Sequence, residues 1–391
     1  MIKKSAIRKS LIVLVIILYF TINLLFGLRG STTGSGKIFL SVGLLIFGAN
    51  IFLHSFRLNK IDVLFFVWFI WAFIGTKYWN LESFFMGLSS PIFFTLLGLN
   101  LYFFIGRLTE QTERILVMEM FVIGGILLTL LTIVLRYKFD LAGSRLRTDL
   151  VNANDVAYLA VISIFFLIYL WNKNGKYNLF FLGIFILLNT VIIFSASRKA
   201  FLGEFFFLAV FLFYKYKSKI LIRPYYLFTG FVIILSSYFI FKDAFMKSTL
   251  GIRLVEAYKH EAKAKSSEER LTGRGFHYVQ GVAAFKEHPI IGVGLDNINR
   301  YFGTRLASHS EYVSMFAETG VVGFLLYFTG IFLLLKKLIN IRNASFGIDK
   351  QQILILVFAF ITILLIAFGR WNYDDGVYWI FVGLTRSFLN R

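Results

Sequence analysis

The chain has 391 residues, of which 58% are hydrophobic and 19% aromatic, whereas only 16% are charged. So small a share of charged side chains argues strongly against a soluble globular fold. The formal net charge of +20 is scattered over many loops rather than gathered in one stripe, so nucleic-acid binding is not indicated. The absence of cysteine excludes disulfides, thiolate metal sites and cysteine nucleophiles.

Apolar runs recur along the chain at close to the roughly 20 residues that a helix needs to cross a bilayer. We therefore predict an all-α polytopic membrane protein with about 12 transmembrane helices. The first run follows a basic start that resembles a signal peptide, but its length and the lack of a small-residue cleavage site favour a retained span. The predicted spans lie near residues 10–28, 37–55, 61–79, 83–105, 115–135, 155–171, 178–196, 199–214, 224–241, 317–335, 351–369 and 376–388.

The distribution of lysine and arginine predicts how the spans are oriented. Basic residues crowd alternate short loops, whereas the loops between them contain few. Both termini are therefore predicted to be cytoplasmic, and the segment 136–154 is predicted to face outside. We divide the chain into transmembrane helices 1–9 in residues 1–241, a large extracytoplasmic loop in 242–316 and transmembrane helices 10–12 in 317–391.

The long polar segment 242–316 interrupts the apolar runs. Connections of this length are uncommon and are usually either functional or disordered. Helical periodicity that stops at Pro289, followed by a turn with Gly292 and Gly294, favours a folded and partly helical loop. The glycine turn resembles one that cradles phosphate with its backbone amides, although two glycines alone are weak evidence.

Several basic residues lie on the predicted outer side, where the positive-inside bias gives no reason for them. An anionic partner at the outer leaflet would explain them. Arg198 stands in a tight turn between spans seven and eight, and is either a snorkelling interfacial arginine or a fixed cation that faces an outer cavity. Arg274 opens the helical stretch of the long loop, and is either a solvated surface arginine or a second such cation. The outer basic residues are Arg136, Lys138, Arg145, Arg147, Arg198, Lys199 and the arginines of the long loop, Arg253, Arg270, Arg274, Arg300 and Arg305.

His309 stands at the end of the long loop, just before span ten. Ser308 and Glu311 fit a capping box, which predicts a helix that begins there with His309 in its first turn. The positive end of the helix dipole would keep the imidazole neutral, and therefore competent as a general base near pH 7. The alternative is an exposed histidine in a capping turn. Glu318 is predicted about two and a half turns deeper in the same helix, where it could orient polar groups or pair with an arginine.

No histidine or carboxylate cluster has the spacing of a metal site, so we expect no metal and no other cofactor. Asp374 and Asp375 lie in a short outer loop beside Trp371 and Tyr373. We interpret them as part of a solvated turn, with sugar binding as the alternative.

A set of short motifs follows the candidate residues along the chain: Asn152-Ala153-Asn154, Ser197-Arg198-Lys199-Ala200, Gly273-Arg274, the run 283–295, His309-Ser310-Glu311-Tyr312 and the run 317–323. In order and spacing these motifs resemble the O-antigen ligase/polymerase superfamily, and most of all its Wzy-type repeat-unit polymerases. The strongest similarity covers about residues 270–325, and weaker similarity covers 150–200. Ser310 departs from the family pattern, in which asparagine commonly follows the histidine.

The resemblance implies a GT-C-like glycosyltransferase of the bacterial cytoplasmic (inner) membrane, with an active site that faces outward. Its donor would be a glycan on undecaprenyl diphosphate, and the reaction would need no metal. Arg198 and Arg274 would stabilise the departing diphosphate, and His309 would take the proton of the acceptor hydroxyl. The further residues implied in substrate binding are Arg136, Arg270, Asn154 and Glu318.

Four functions stay open. The first hypothesis is a repeat-unit polymerase for O-antigen, capsule or exopolysaccharide, and the second is an O-antigen ligase that moves the glycan onto the lipid A-core of lipopolysaccharide. A third relative would glycosylate protein, and a transporter or flippase would place its critical charges near the bilayer midplane. The expected partners are the lipid-linked donor and acceptor glycans and the bilayer, with flippase and chain-length regulator proteins as further candidates and no nucleic acid.

Overall fold

The computed structural model describes residues 4–26, 58–79, 91–135, 153–174, 179–222, 252, 274–295, 297–302, 310–370, 372–373 and 375–390. Within these residues all regular secondary structure is helical, as predicted. The α-helices are α1 Lys4–Phe26, α2 Lys60–Trp79, α3 Pro91–Gly106, α4 Gln111–Leu135, α5 Ala153–Asn174, α6 Leu179–Ser195, α7 Arg198–Ile222, α8 Arg274–Glu287, α9 Ile298–Tyr301, α10 Glu311–Ala344, α11 Gly347–Ile366 and α12 Gly376–Ser387. Short 3-10 turns at Ala367–Gly369 and Phe388–Asn390 follow α11 and α12.

Each predicted span within the described residues corresponds to a helix, whereas those near 37–55 and 224–241 lie outside them. Among the described residues, four helical segments are long and apolar enough to cross a membrane: Gln111–Ile133, Ala153–Lys173, Glu311–Ala344 and Asp349–Gly369. Thr95–Gly106 and Leu179–Ser195 are shorter apolar helices. This set is consistent with a helical membrane protein.

Two helices lie at the centre of the bundle. Helix α5 is almost completely buried and contacts α4, α6, α7 and α11. Every residue of α12 is buried, and this helix packs closely along α3. Their contact is so close that a Cβ added to Gly98 would stand 2.1 Å from the Trp379 side chain. The N-terminal ends of α5 and α12 therefore have a fixed place in the fold, and both contribute to the candidate site.

A buried ion pair anchors the C-terminal end of α12. Arg386 binds both carboxylate oxygens of Asp62 on α2, at 3.1 Å from Nε and 2.9 Å from Nη2. The hydroxyl of Tyr102 on α3 donates to the same carboxylate at 2.7 Å. Because each buried charge here has a partner, the pair joins α2, α3 and α12 without leaving either charge uncompensated.

Helix α10 folds back on itself at Gly320, whose φ of 64° and ψ of −172° are not helical. Residues equally distant from Gly320 meet: the Phe316 and Phe324 rings stack with centroids 3.6 Å apart. Tyr312 and Phe328 stack with centroids 5.0 Å apart, although 16 residues of straight helix would separate them by about 24 Å. The part of α10 before Gly320 therefore runs antiparallel to the part after it.

This reversal changes the surroundings of Glu318. The residue lies in the helix that follows His309, as expected, about two turns from its start, but that helix breaks at Gly320, two residues later, instead of continuing through span ten. The residue at the break is glycine, which tolerates a positive φ that would be strained for other residues.

Candidate active site

Four of the segments singled out in the sequence meet at the turn of residues 367–370, which joins α11 to α12. The start of α7 reaches it through Lys199, because a Cβ added to Gly369 would stand 2.8 Å from Lys199 Cδ. Helix α8 reaches it through Tyr278, whose hydroxyl donates to the carbonyl of Phe368 at 2.6 Å. Arg198 immediately precedes Lys199, and α8 begins at Arg274.

The starts of α5 and α10 reach the same turn through Arg370. Its Nη1 lies 2.6 Å from Asp155 Oδ1, one residue after Asn154. Its carbonyl accepts a 3.1 Å hydrogen bond from the amide of Glu311, the first residue of α10. The amide at the start of a helix has no partner within the helix, so this bond fixes where α10 begins. The fold therefore brings the Asn154, Arg198, Arg274 and Glu311 backbones to one end of the bundle.

Arg198 opens α7 after a buried, tight turn. Ala196 has a φ of 52°, and the amide of Ser197 donates to Ser195 Oγ at 3.2 Å. The Arg198 side chain is partly exposed, and it forms no hydrogen bond or ion pair with any residue that the structure describes. Its charge adds to the positive end of the α7 dipole, and together they favour an anion at this position.

Other predicted site residues are described only in part. Helix α8 starts at Arg274 and ends before His288-Pro289, as the periodicity indicated, but the Arg274 side chain is not among the described atoms. His309, Arg270 and Arg136 lie outside the described residues. Asn154 is partly exposed at the second position of α5.

The predicted capping box at the start of α10 is wrong. The N-cap is Ser310, which makes no side-chain capping bond, and the helix begins at Glu311. His309 therefore precedes the helix instead of lying in its first turn. The Glu311 carboxylate is 2% exposed and is occupied elsewhere: Asn372 Nδ2 donates to it at 2.7 Å, and so does the Tyr327 hydroxyl.

The resemblance of the turn at Gly292 and Gly294 to a phosphate cradle, which was weak evidence in the sequence, does not extend to its hydrogen bonds. Both glycines have positive φ, 76° and 88°, so the turn forms as expected. Its amides are already bonded within the protein: Gly292 to His288 O at 3.0 Å, Val293 to Ala317 O at 2.9 Å and Gly294 to Glu318 O at 2.8 Å. The turn satisfies carbonyls that the break in α10 leaves without helical partners.

Glu318 lies beside the turn at Gly292 and Gly294, whose Gly294 amide bonds its carbonyl. Its side chain is 4% exposed, and the Tyr373 hydroxyl donates to its Oε2 at 2.8 Å. The next carbonyl, of Thr319, accepts from Trp71 Nε1 at 3.0 Å. These contacts hold the end of the doubled-back helix between α2 and the last loop.

Asp375 is not part of a solvated turn, contrary to expectation. Its carboxylate lies 2.5 Å from Arg370 Nη2 and accepts from the amide of Val377 at 2.8 Å, so it caps α12. Burial raises the pKa of Asp375, and the charge of Arg370 opposes that rise. Burial lowers the pKa of Arg370, but the carboxylates of Asp155 and Asp375 outweigh it and raise that pKa above its usual value. Trp371 and Asp374 lie outside the described residues.

Arg370 is the main residue that the sequence interpretation missed. By the predicted topology it is a further basic residue on the outer side, in the loop between the last two spans. The exception to the positive-inside bias that marked Arg198 also marks Arg370. Its role differs, since Arg370 is neutralised by carboxylates while Arg198 has no such partner in the described part of the chain.

Residues 182–328 match the model of a family described as O-antigen ligase. The match runs from α6 through α10 and covers Arg198, Arg274, His309 and Glu318, but it leaves out Asn154 and Arg370. It supports the ligase/polymerase superfamily and a membrane glycosyltransferase-like enzyme. No curated protein matches the chain. Within the described residues, no group of three or more His, Cys, Asp or Glu side chains is placed to hold a metal ion.

Proposed function

We propose that this protein polymerises undecaprenyl-diphosphate-linked repeat units into O-antigen, capsular or exopolysaccharide at the outer face of the cytoplasmic membrane. One observation carries the proposal: a single turn, residues 367–370, gathers the starts of α5, α7 and α10 together with α8. These are the segments whose motifs resemble the superfamily, and three of them, α7, α8 and α10, fall within the family match.

The donor half of the proposed reaction breaks the bond between the anomeric carbon and the diphosphate oxygen. The diphosphate departs with the bonding electrons, so its negative charge rises in the transition state. Arg198 suits this charge because its guanidinium has no protein partner in the described structure and sits at a helix N-terminus. We assign Arg274, Arg270 and Arg136 to the same anionic group, and none of their side chains is described.

The acceptor half forms the new bond from a sugar hydroxyl to the anomeric carbon. His309 accepts the hydroxyl proton as the oxygen attacks, and the single displacement inverts the anomeric centre. The reaction as proposed requires no metal. The structure supports a positioning role for Glu318, whose carboxylate is buried against Tyr373. We assign Asn154, which is partly exposed, to binding of a sugar.

An O-antigen ligase is the second candidate, and the matching family carries that description, although the family covers ligases and polymerases alike. Both candidates use the same donor and the same departing diphosphate. They differ in the acceptor, which is a second lipid-linked glycan for a polymerase and lipid A-core for a ligase. Flippase and chain-length regulator proteins would be partners of the polymerase.

The glycan profile of a deletion strain of the source bacterium tests the proposal. Loss of a polymerase leaves a single repeat unit on the lipid core, whereas loss of a ligase leaves long polymer on its carrier. Complementation with the wild-type gene should restore the original pattern. A glycan profile that the deletion leaves unchanged would contradict both candidates.

A further inference from the structure

The Arg370 side chain joins the starts of α5 and α12 although no motif marks it. Its guanidinium binds Asp155 on α5 at 2.6 Å and Asp375 at the start of α12 at 2.5 Å. The guanidinium carbon also lies 4.3 Å from the centre of the Tyr158 ring. Its side chain is 15% exposed, so these contacts are largely shielded from water. Both terminal nitrogens are thus committed to carboxylates, and Arg370 is not a free cation for a substrate.

The backbone of Arg370 holds the residues that follow His309. Its carbonyl accepts the first amide of α10, and two residues later Asn372 donates to the Glu311 carboxylate at 2.7 Å. The intervening residue, Ser310, is 1% exposed. The loop that contains Arg370 therefore holds Glu311, two residues after His309, through both its amide and its carboxylate.

We propose that Arg370 is a positioning residue: it holds the start of α10, which follows His309 in the chain, together with the starts of α5 and α12, and so orients the general base. This inference rests on the proposed function. Arginine suits the role because its planar fork reaches two carboxylates while its face covers an aromatic ring, which the single ammonium of lysine cannot do. Displacement of a catalytic group by about 1 Å can lower a rate about 100-fold.

The chain offers a matched control in Arg386, a second buried arginine that is paired with a carboxylate at the other end of α12. Arg370→Gln and Arg386→Gln each remove one buried cation, so both should lower thermal stability. Only Arg370→Gln should disturb the segment after His309. Asp155→Asn removes a half-exposed partner of Arg370 and serves as a milder variant if Arg370→Gln fails to fold.

The first measurement is independent of activity. The chain has no cysteine, so Ser310→Cys introduces a single thiol at a buried position. We expect a maleimide to label that thiol about tenfold faster when Arg370→Gln is added, because the segment opens locally more often. Adding Arg386→Gln should leave the labelling rate unchanged. Equal labelling in the two backgrounds would overturn the proposal.

The second measurement is transfer of a lipid-linked repeat unit by the purified variants without the introduced cysteine, normalised to folded protein. Arg370→Gln should lower kcat about 100-fold and leave the KM for the donor within about threefold of wild type. An unchanged kcat, or a raised KM with kcat preserved, would overturn the positioning role. Wild-type protein inactive with both polymerase and ligase acceptors would instead refute the proposed function, and the labelling would still decide whether Arg370 holds the segment.

Discussion

Gly292 and Gly320 lie so close together that a Cβ added to Gly292 would stand 2.6 Å from the nitrogen of Gly320. Both have positive φ, 76° and 64°. A Cβ added to Gly320 would in turn stand 2.2 Å from the carbonyl oxygen of Ile290. The glycine turn and the break in α10 are therefore two halves of one contact, and neither accepts a larger residue without a backbone shift.

We predict that Gly320→Ala lowers the free energy of unfolding by about 2–4 kcal/mol, because it combines a strained backbone with a backbone clash. Thermal unfolding in detergent would measure this loss, and glycan transfer should fall with it. Gly183→Ala is the control, since a Cβ there meets nothing within 4 Å and alanine favours a helix. A Gly320→Ala protein as stable as wild type would contradict the observed break in α10.

This contact also shows where inference from sequence stopped. The apolar runs predicted the helices because a stretch of about 20 hydrophobic residues is typical of a membrane-spanning helix. Gly320 belongs to the run 317–323 that was singled out as a motif, but the sequence did not indicate a reversal there, since only tertiary contact with Gly292 decides that the helix turns back. The capping box failed for the same reason, because Asn372 and Tyr327, distant in sequence, occupy the Glu311 carboxylate.

The segments that carry the candidate residues meet at one place in the fold, whereas the roles of those residues stay predictions. Motif order placed Arg198, Asn154 and the start of span ten together, and the structure brings those segments to one turn. Arg370 was missed because its importance lies in carboxylates on two other segments, Asp155 and Asp375. A basic residue in an outer loop is a weak signal until its partners are known.

His309→Ala is predicted to abolish polymer formation while the protein still inserts and folds. Loss of a positioned general base costs about 10²- to 10⁴-fold in rate, which is enough to remove long polymer from a silver-stained gel. His54→Ala, on the opposite predicted face, should leave the polymer unchanged. Normal polymer from the His309→Ala strain, at equal membrane levels of protein, would refute the assignment of the base.

Arg198→Lys is predicted to lower transfer by about 100-fold, or roughly 3 kcal/mol, because it keeps the charge but loses bidentate contact with a diphosphate. Transfer rates of membrane fractions with a lipid-linked donor would measure the effect. The matched control is Arg342→Lys, at an arginine that bonds the Tyr214 hydroxyl at 2.6 Å far along α10 from the site. Full activity of Arg198→Lys would leave Arg198 as an interfacial anchor.

Alkaline phosphatase fused after Ser266 is predicted to be active, because the basic-residue bias places segment 242–316 outside the cytoplasmic membrane. The enzyme folds only after export to an oxidising compartment, so its activity reports the side of the fusion point. A fusion after Asn174, at the end of α5, should be inactive, since α5 leads from the outer site to the opposite face. The two fusions are interpreted together. An inactive fusion at Ser266 with an active fusion at Asn174 would place the 367–370 turn on the cytoplasmic side. A carrier-linked glycan that is assembled for export would not be polymerised there.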